Sequence, residues 1–375
     1  MAAPRVAITG TGLYTPPDSI SNEELVASFN AWVERENRAH AGDIASGVRE
    51  PLQPSSTEFV LRASGIRSRH VVDREGILDV ERMRPSIERR GNDEPSQMCE
   101  MGVAAATEAL ERAGRTPRDV DAVLVAASNM QRAYPAVAVE LQHHLGAGGY
   151  GYDINVACAS AAFGVQAAID AVQAGHARAV LVVSPEICSG HLNFRDRDSH
   201  FIFGDACTAI LVEPLERAGG KAAFEILGTR LKTAFSSNIR NNAGFLNRAE
   251  EPPREAADLL FIQEGRKVFK EVVPMVSDLI LGHLADLKIE PRAVRRFWLH
   301  QANLSMNQLI AKRVLGRDAT DAEAPVILDE YANTSSAGSV IAFHKHHHDF
   351  KPGEIGVLCG FGAGYSAGNV VLKRA

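Results

Sequence analysis

Apolar positions along the chain fall into two alternating patterns. Short runs rich in β-branched and aliphatic residues, "VAITGTGLY" (6–14), "DAVLVAAS" (121–128), "YDINVA" (152–157) and "ARAVLVVSPE" (177–186), read as strands. Between them, "QMCEMGVAAATEALERAG" (97–114) and "SAAFGVQAAIDAVQAG" (160–175) have helix composition, each closing on a glycine suited to a C-terminal cap. The alternation predicts βαβ units, an α/β fold and a mostly parallel sheet covered on both faces.

A weaker pattern is internal. "FIFGDACTAILVE" (201–213) and "VLCGFGAGYSAGNVVLK" (357–373) each read as a strand, a glycine-centred bend and a returning strand. "NVACASAAFG" (155–164) and "EYANTSSAGS" (330–339) each set a turn of small residues ahead of a helix, with Cys158 and Asn333 at nearly matching points. Two related halves, 1–215 and 216–375, are therefore expected, joined through the linker "EPLERAGGKAA" and sharing one site at their seam. Two stretches read as insertions. Residues 21–55 open with a capping serine and an acid three residues on, at the head of a mixed helical run, and 80–95 is charged and solvated.

Composition narrows the class. A chain of 375 residues, 45% hydrophobic and 23% charged, with 31 glycines and 17 prolines, is that of a compact protein able to bury a large core. The net charge of -6 argues against a nucleic-acid partner. The five cysteines lack the close pairing of a zinc site and are too sparse for a disulfide scaffold, which fits a reducing compartment. No apolar run reaches a membrane span and "MAAPRVAITGTGLYTPP" has no signal-peptide core, so a soluble cytoplasmic protein without a membrane partner is expected. No metal or other cofactor is expected, and the run "HKHHHDF" (344–350) receives no role.

Four stretches carry candidate chemistry. Cys158 sits where a strand gives way to a helix; it is either core packing or a thiol that the helix N-terminus biases toward thiolate. His300, in "FWLHQANLSMNQLIAKRVLG" (297–316), joins a strand-like to a helical run, and Asn333 stands in a polar turn before a helix, where asparagine also serves as an ordinary cap. "CGFGAGYSAG" (359–368) could aim backbone amides at a ligand but lacks the Lys and Ser/Thr of a P-loop.

Together, "NVACAS", "FGDACTAIL", "LHQANL", "YANTSS" and "GFGAGYSAG", in this order, resemble the ketoacyl-ACP synthase III group of the thiolase-fold condensing enzymes. The resemblance implies a thiolase-like fold, two βαβ halves in a layered α/β/α/β/α core, and a cytoplasmic homodimer needing no cofactor. It implies that Cys158 takes an acyl group from acyl-CoA. His300 and Asn333 would then stabilise the enolate formed as a malonyl unit on acyl carrier protein loses carbon dioxide, and the amides of Cys158 and Ala363 would form an oxyanion hole.

Departures from the family pattern bear on substrate. Phe59 stands where the family often has tryptophan, and Ser305 where an arginine is common, both at the expected entrance for the pantetheine arm. Ala363 replaces a glycine, restricting the backbone there. Tyr134 is offered as the side chain lent across a dimer to close the acyl pocket, with an ordinary interface tyrosine as the alternative. The first insertion is expected to shift acyl selection toward a longer primer. The competing readings are an acyltransferase or condensing enzyme with a different acceptor, a cysteine hydrolase, and a non-catalytic partner subunit.

Overall fold

A computed structural model describes residues 3–375. Nine strands form its main sheet: β1 (Val6–Tyr14), β2 (Ala122–Ala126), β3 (Tyr150–Ile154), β4 (Val180–Ile187), β5 (Asp205–Pro214), β6 (Phe224–Ser236), β7 (Val294–Leu299), β8 (Ile355–Gly362) and β9 (Gly364–Arg374). Their spatial order is β7-β8-β9-β6-β1-β5-β4-β2-β3. The two sides meet only where Ala7 pairs with Glu225 and Ile8 with Phe224. Outward from that junction, one side runs β1, β5, β4, β2, β3 and the other β6, β9, β8, β7.

The sheet is mixed, which corrects the expectation of a mostly parallel one. β2 is parallel to β3 and β4, and β7 to β8, while every pairing involving β1, β5, β6 or β9 is antiparallel. Of the antiparallel pairs, only β8–β9 is a tight return; β1–β5, β1–β6 and β6–β9 bring together distant parts of the chain, so their direction is not set by a helical crossover. A second correction concerns residues 201–213. Only Asp205 onward is strand, and Phe203 makes a lone bridge to Asn333 instead of extending β5.

Eight helices matter for the argument: α1 (Asn22–Ala39), α2 (Thr57–Ser64), α3 (Gln97–Ala113), α4 (Val137–Leu145), α5 (Ser160–Gln173), α6 (Gly265–Asp286), α7 (Leu304–Leu315) and α8 (Ala337–Lys345). Alternate residues of the strands feed different cores, as the period of two requires. Cys207, Ala209 and Leu211 of β5 pack with α3 and α4, whereas Ala206, Ile210 and Val212 face a central cluster holding α5 and α8. On the other side, Val357, Cys359 and Phe361 of β8 pack with α6 and α7, and Leu358 joins the central cluster. The layers are therefore α3/α4, sheet, α5/α8, sheet, α6/α7. Helices α5 and α8 can lie between the two sides of the sheet because, Phe343 and His344 apart, their buried positions are Ala, Gly, Ser, Val and Ile.

The capped helix expected from residue 21 is present. Ser21 accepts from the Glu24 amide at 3.2 Å and donates its own amide to Glu24 at 2.9 Å, a full capping box for α1. Phe29, Trp32 and Val33 of α1 then share a core with Phe194, Phe201 and Phe203. Residues 80–95 form turns and loops, mostly exposed, with Met83 buried.

Gly10 and Gly12 let β1 lie directly against the backbone of α3, where a Cβ at Gly12 would collide with the Ala105 carbonyl. We expect Gly12→Ala to destabilise the fold by about 1–3 kcal/mol through overpacking. Chemical denaturation measures this, and a variant as stable as the parent would mean that α3 is not held this close.

Candidate active site

The chain from β3 to α5 turns sharply. Ala157 adopts a left-handed φ of 47°, and the Ser160 hydroxyl ties the turn by accepting from the Val156 amide at 2.8 Å and donating to the Ala157 carbonyl at 2.7 Å. This leaves Cys158 just ahead of α5, facing a cavity of about 590 Å³. His300, at the end of β7, and Asn333, ahead of α8, line the same cavity, as do Phe59 and Ser305. Phe201, Phe203, Phe261, Phe269 and Val272 make much of its wall apolar.

His300 is held by its amide, which donates to the Cys359 carbonyl at 2.8 Å, and by the edge of Phe361, with ring centroids 5.2 Å apart. Burial pushes its pKa down to about 4, so the imidazole is neutral at ordinary pH. The Asn333 amide donates to the Ile202 carbonyl at 3.0 Å and its carbonyl accepts from Gly204 at 3.1 Å, the bridge that displaced residues 201–203 from β5. Its Oδ1 accepts from the Ser335 amide at 2.9 Å, which leaves Nδ2 as the end of the side chain free to donate.

The Cys158 thiol is partly accessible through the cavity, yet the surrounding protein withdraws it from bulk water. Burial raises its pKa to about 11, and the Glu186 carboxylate adds to the rise. The Ser335 hydroxyl and the amides of Ala363 and Cys158 pull the other way without winning. The bias toward thiolate that the sequence offers for a helix-start cysteine is outweighed here by desolvation. Both amides proposed for an oxyanion hole nevertheless face the sulfur. Alanine causes no strain at position 363, because the left-handed residue of that turn is Gly364, with a φ of 127°.

Phe59, on α2, stands at the cavity with the Arg197 guanidinium 4.3 Å from its ring and Phe201 packed edge-on. Ser305 is exposed at the rim. Tyr134 is not brought to the cavity of its own chain and is 81% exposed. Three further residues were not singled out from the sequence. Gly362 leaves room where a Cβ would press on Cys158, Ser335 borders all three polar side chains, and Glu186 is a buried carboxylate bonded by Ser128 and Ser336. An acid closing the apolar run "LVVSPE" was a usable signal for Glu186.

Comparison with known proteins bears on what such a cavity serves. Residues 152–234 match the family described as 3-oxoacyl-[acyl-carrier-protein (ACP)] synthase III, and residues 284–374 match its C-terminal region. A β-ketodecanoyl-[acyl-carrier-protein] synthase of Pseudomonas aeruginosa is 62% identical over 347 residues, covering 92% of this chain and 99% of the relative. The chain belongs to the 3-oxoacyl-ACP synthase III family. A β-ketoacyl-[acyl-carrier-protein] synthase III of Brucella anthropi is 28% identical over 86% of this chain and 93% of its own. Among solved structures, the priming β-ketosynthase of the R1128 polyketide pathway superposes with a TM-score of 0.78 at 25% identity, covering 99% of this chain and 97% of that one. The 3-oxoacyl-[acyl-carrier-protein] synthase III of Aquifex aeolicus gives 0.76 at 24% identity, covering 98% of this chain and 99% of its own, and bears on the fold alone. The synthase fold is thus the thiolase-like one, and the chain is a condensing acyltransferase: it joins an acyl primer to malonyl-ACP with loss of carbon dioxide, giving a 3-oxoacyl-ACP. An enzyme directed to another acceptor is not favoured. Among the described residues, no helix is long and apolar enough to cross a membrane.

The neutral imidazole sets a pH expectation. Because folding lowers the His300 pKa from 6.5 to about 4, the neutral form persists until the pH falls to that region. Rapid-mixing measurement of decarboxylation on acyl-loaded enzyme should show no His300 limb between about pH 5 and 8. A loss of half the rate near 6.5 would contradict the neutral donor.

Proposed function

We propose that this synthase loads a medium-chain acyl group, eight carbons long, onto Cys158 and extends it on malonyl-ACP. The observation that carries the reading is the convergence of Cys158, His300 and Asn333 on one cavity with a largely apolar wall. The length rests on the Pseudomonas aeruginosa relative: a ten-carbon product less the two carbons malonyl supplies leaves an eight-carbon primer. The aromatic wall of Phe201 and Phe203, backed by α1, supports preference for such a chain over acetyl.

In the first half-reaction Cys158 Sγ attacks the primer thioester, the bond from carbonyl carbon to CoA sulfur breaks, and the thiol proton leaves with CoA. In the second, the bond from the malonyl methylene to its carboxylate breaks and carbon dioxide departs. The enolate oxygen is held by the neutral His300 ring and by Asn333 Nδ2, donors set where charge develops. The methylene carbon attacks the acyl carbonyl on Cys158, the amides of Cys158 and Ala363 hold the resulting oxyanion, and the thiol re-forms with a proton from solvent. Arg197 beside Phe59, with Arg266 at the rim, offers positive charge to the phosphates of the CoA or carrier arm in place of the arginine absent at Ser305. We read residues 1–215 and 216–375 as related halves of one unit, and the working form as a cytoplasmic homodimer in which exposed Tyr134 approaches the partner's acyl pocket.

Intact-mass spectrometry after incubation with acetyl-, octanoyl- and branched-chain CoA tests the assignment. Octanoyl should add to the parent fastest and not at all to Cys158→Ala, and acyl mass on that variant would remove Cys158 from the role. His300→Ala should still acylate but lose condensation by about 100-fold or more, the usual effect of removing one such donor. Loss of acylation in His300→Ala would overturn the division between the half-reactions.

A further inference from the structure

The turn from Asn333 to α8 contains one buried residue whose conformation is costly and whose amide holds a site side chain. Ser335 is 1% exposed and holds a φ of 48°, a left-handed backbone that a non-glycine residue adopts at a cost of roughly 1–3 kcal/mol. The strain has a visible product. Its amide donates to Asn333 Oδ1 at 2.9 Å, while its hydroxyl, near the Cys158 thiol, is buried with no hydrogen-bond partner, and its carbonyl is near the His300 ring. His300 Nδ1 is likewise buried with no hydrogen-bond partner.

We propose that Ser335 is the positioning residue that sets the whole site: its backbone fixes the Asn333 amide with Nδ2 outward and steadies the His300 ring, and its hydroxyl donates to the Cys158 sulfur as that sulfur becomes thiolate. No covalent step passes through Ser335. Its hydroxyl matters most at the moment of ionisation, because a hydrogen bond to a charged acceptor is worth more than one to a neutral thiol. The titratable groups around the sulfur are Glu186 at the end of β4, Cys188 just beyond it, and His300; Asp198 and Arg266 stand farther out on the cavity lining. Glu186 opposes ionisation of the sulfur, so the hydroxyl works against a standing electrostatic cost.

This inference rests on Cys158 being the acyl carrier and is tested apart from it. The rate of iodoacetamide alkylation, followed on the peptide containing Cys158 across a pH series, reports ionisation of the sulfur without any acyl substrate. In Ser335→Ala the midpoint should move up by about one pH unit, the size expected for losing a hydrogen bond to a charged group. Self-acylation at fixed neutral pH should fall about tenfold and recover as the pH passes the new midpoint. A variant that merely packs badly would lose rate equally at every pH. An unchanged midpoint, or a uniform loss, would overturn the role of the hydroxyl. Ser335→Gly tolerates the left-handed backbone and so folds without new strain, but it frees the turn that holds Asn333. Its condensation kcat should fall several-fold below that of Ser335→Ala, and equal kcat values would overturn the backbone's part. Were Cys158 not the acyl carrier, acyl mass would appear on Cys158→Ala while these midpoints could still differ, so the two failures are distinct.

Discussion

The structure depends on how closely the β8–β9 turn approaches the start of α5. A Cβ on Gly360 would come within 3.3 Å of the Cys158 carbonyl, one on Gly362 within 2.9 Å of the Cys158 sulfur, and one on Gly368 within 2.6 Å of Ala162. Only backbone without side chains fits there. That contact seats α5 between the two sides of the sheet, carries the Ala363 amide to the sulfur, and brings the strand end bearing His300 beside the helix start bearing Cys158. Backbone approach of this kind is set by the fold and not by side-chain choice, so the site cannot be loosened without parting the layers.

Exclusion of water is the second consequence. The packing that closes around the cavity raises the thiol of Cys158 and lowers the imidazole of His300, leaving both neutral before substrate arrives. Neutral groups suit a cavity that receives an apolar chain. In the proposed mechanism, charge is introduced by the thioester chemistry itself, and donors already in place would meet it: two amides near the sulfur, a carboxamide and an imidazole on the same cavity. Such pre-placed dipoles need not reorganise as charge develops, which is where fixed donors gain over water.

Much of this was legible in the sequence, for identifiable reasons. β1 is legible with its observed bounds through its β-branched and aliphatic run, and α3 and α5 through their alanine-rich composition and closing glycines. The capping box of Ser21 and Glu24 was visible because it is local. The sheet's mixed direction was not, since strand pairing is decided by which elements meet across the junction. Phe201 and Phe203 read as strand because apolar runs look alike whether they face a core or a cavity. Cys158, His300 and Asn333 could be gathered only through family resemblance, as they lie far apart in the chain. The sequence left the state of the thiol open between packing and a helix-biased thiolate, because a helix start is local and burial is not. Ser335 escaped notice because a left-handed φ at serine has no signature in composition.

The central claim is that one cavity stores an acyl group on sulfur and spends a malonyl carboxylate to extend it. A single-turnover experiment addresses it directly: octanoyl-loaded enzyme is mixed with carboxyl-labelled malonyl-ACP, and carbon dioxide, acyl-enzyme and 3-oxodecanoyl-ACP are followed together. The account predicts that the label is released, the acyl mass is lost and the product appears in equal amounts at one common rate. Loss of the acyl group without labelled carbon dioxide, by hydrolysis or by transfer to an unextended carrier, would contradict it.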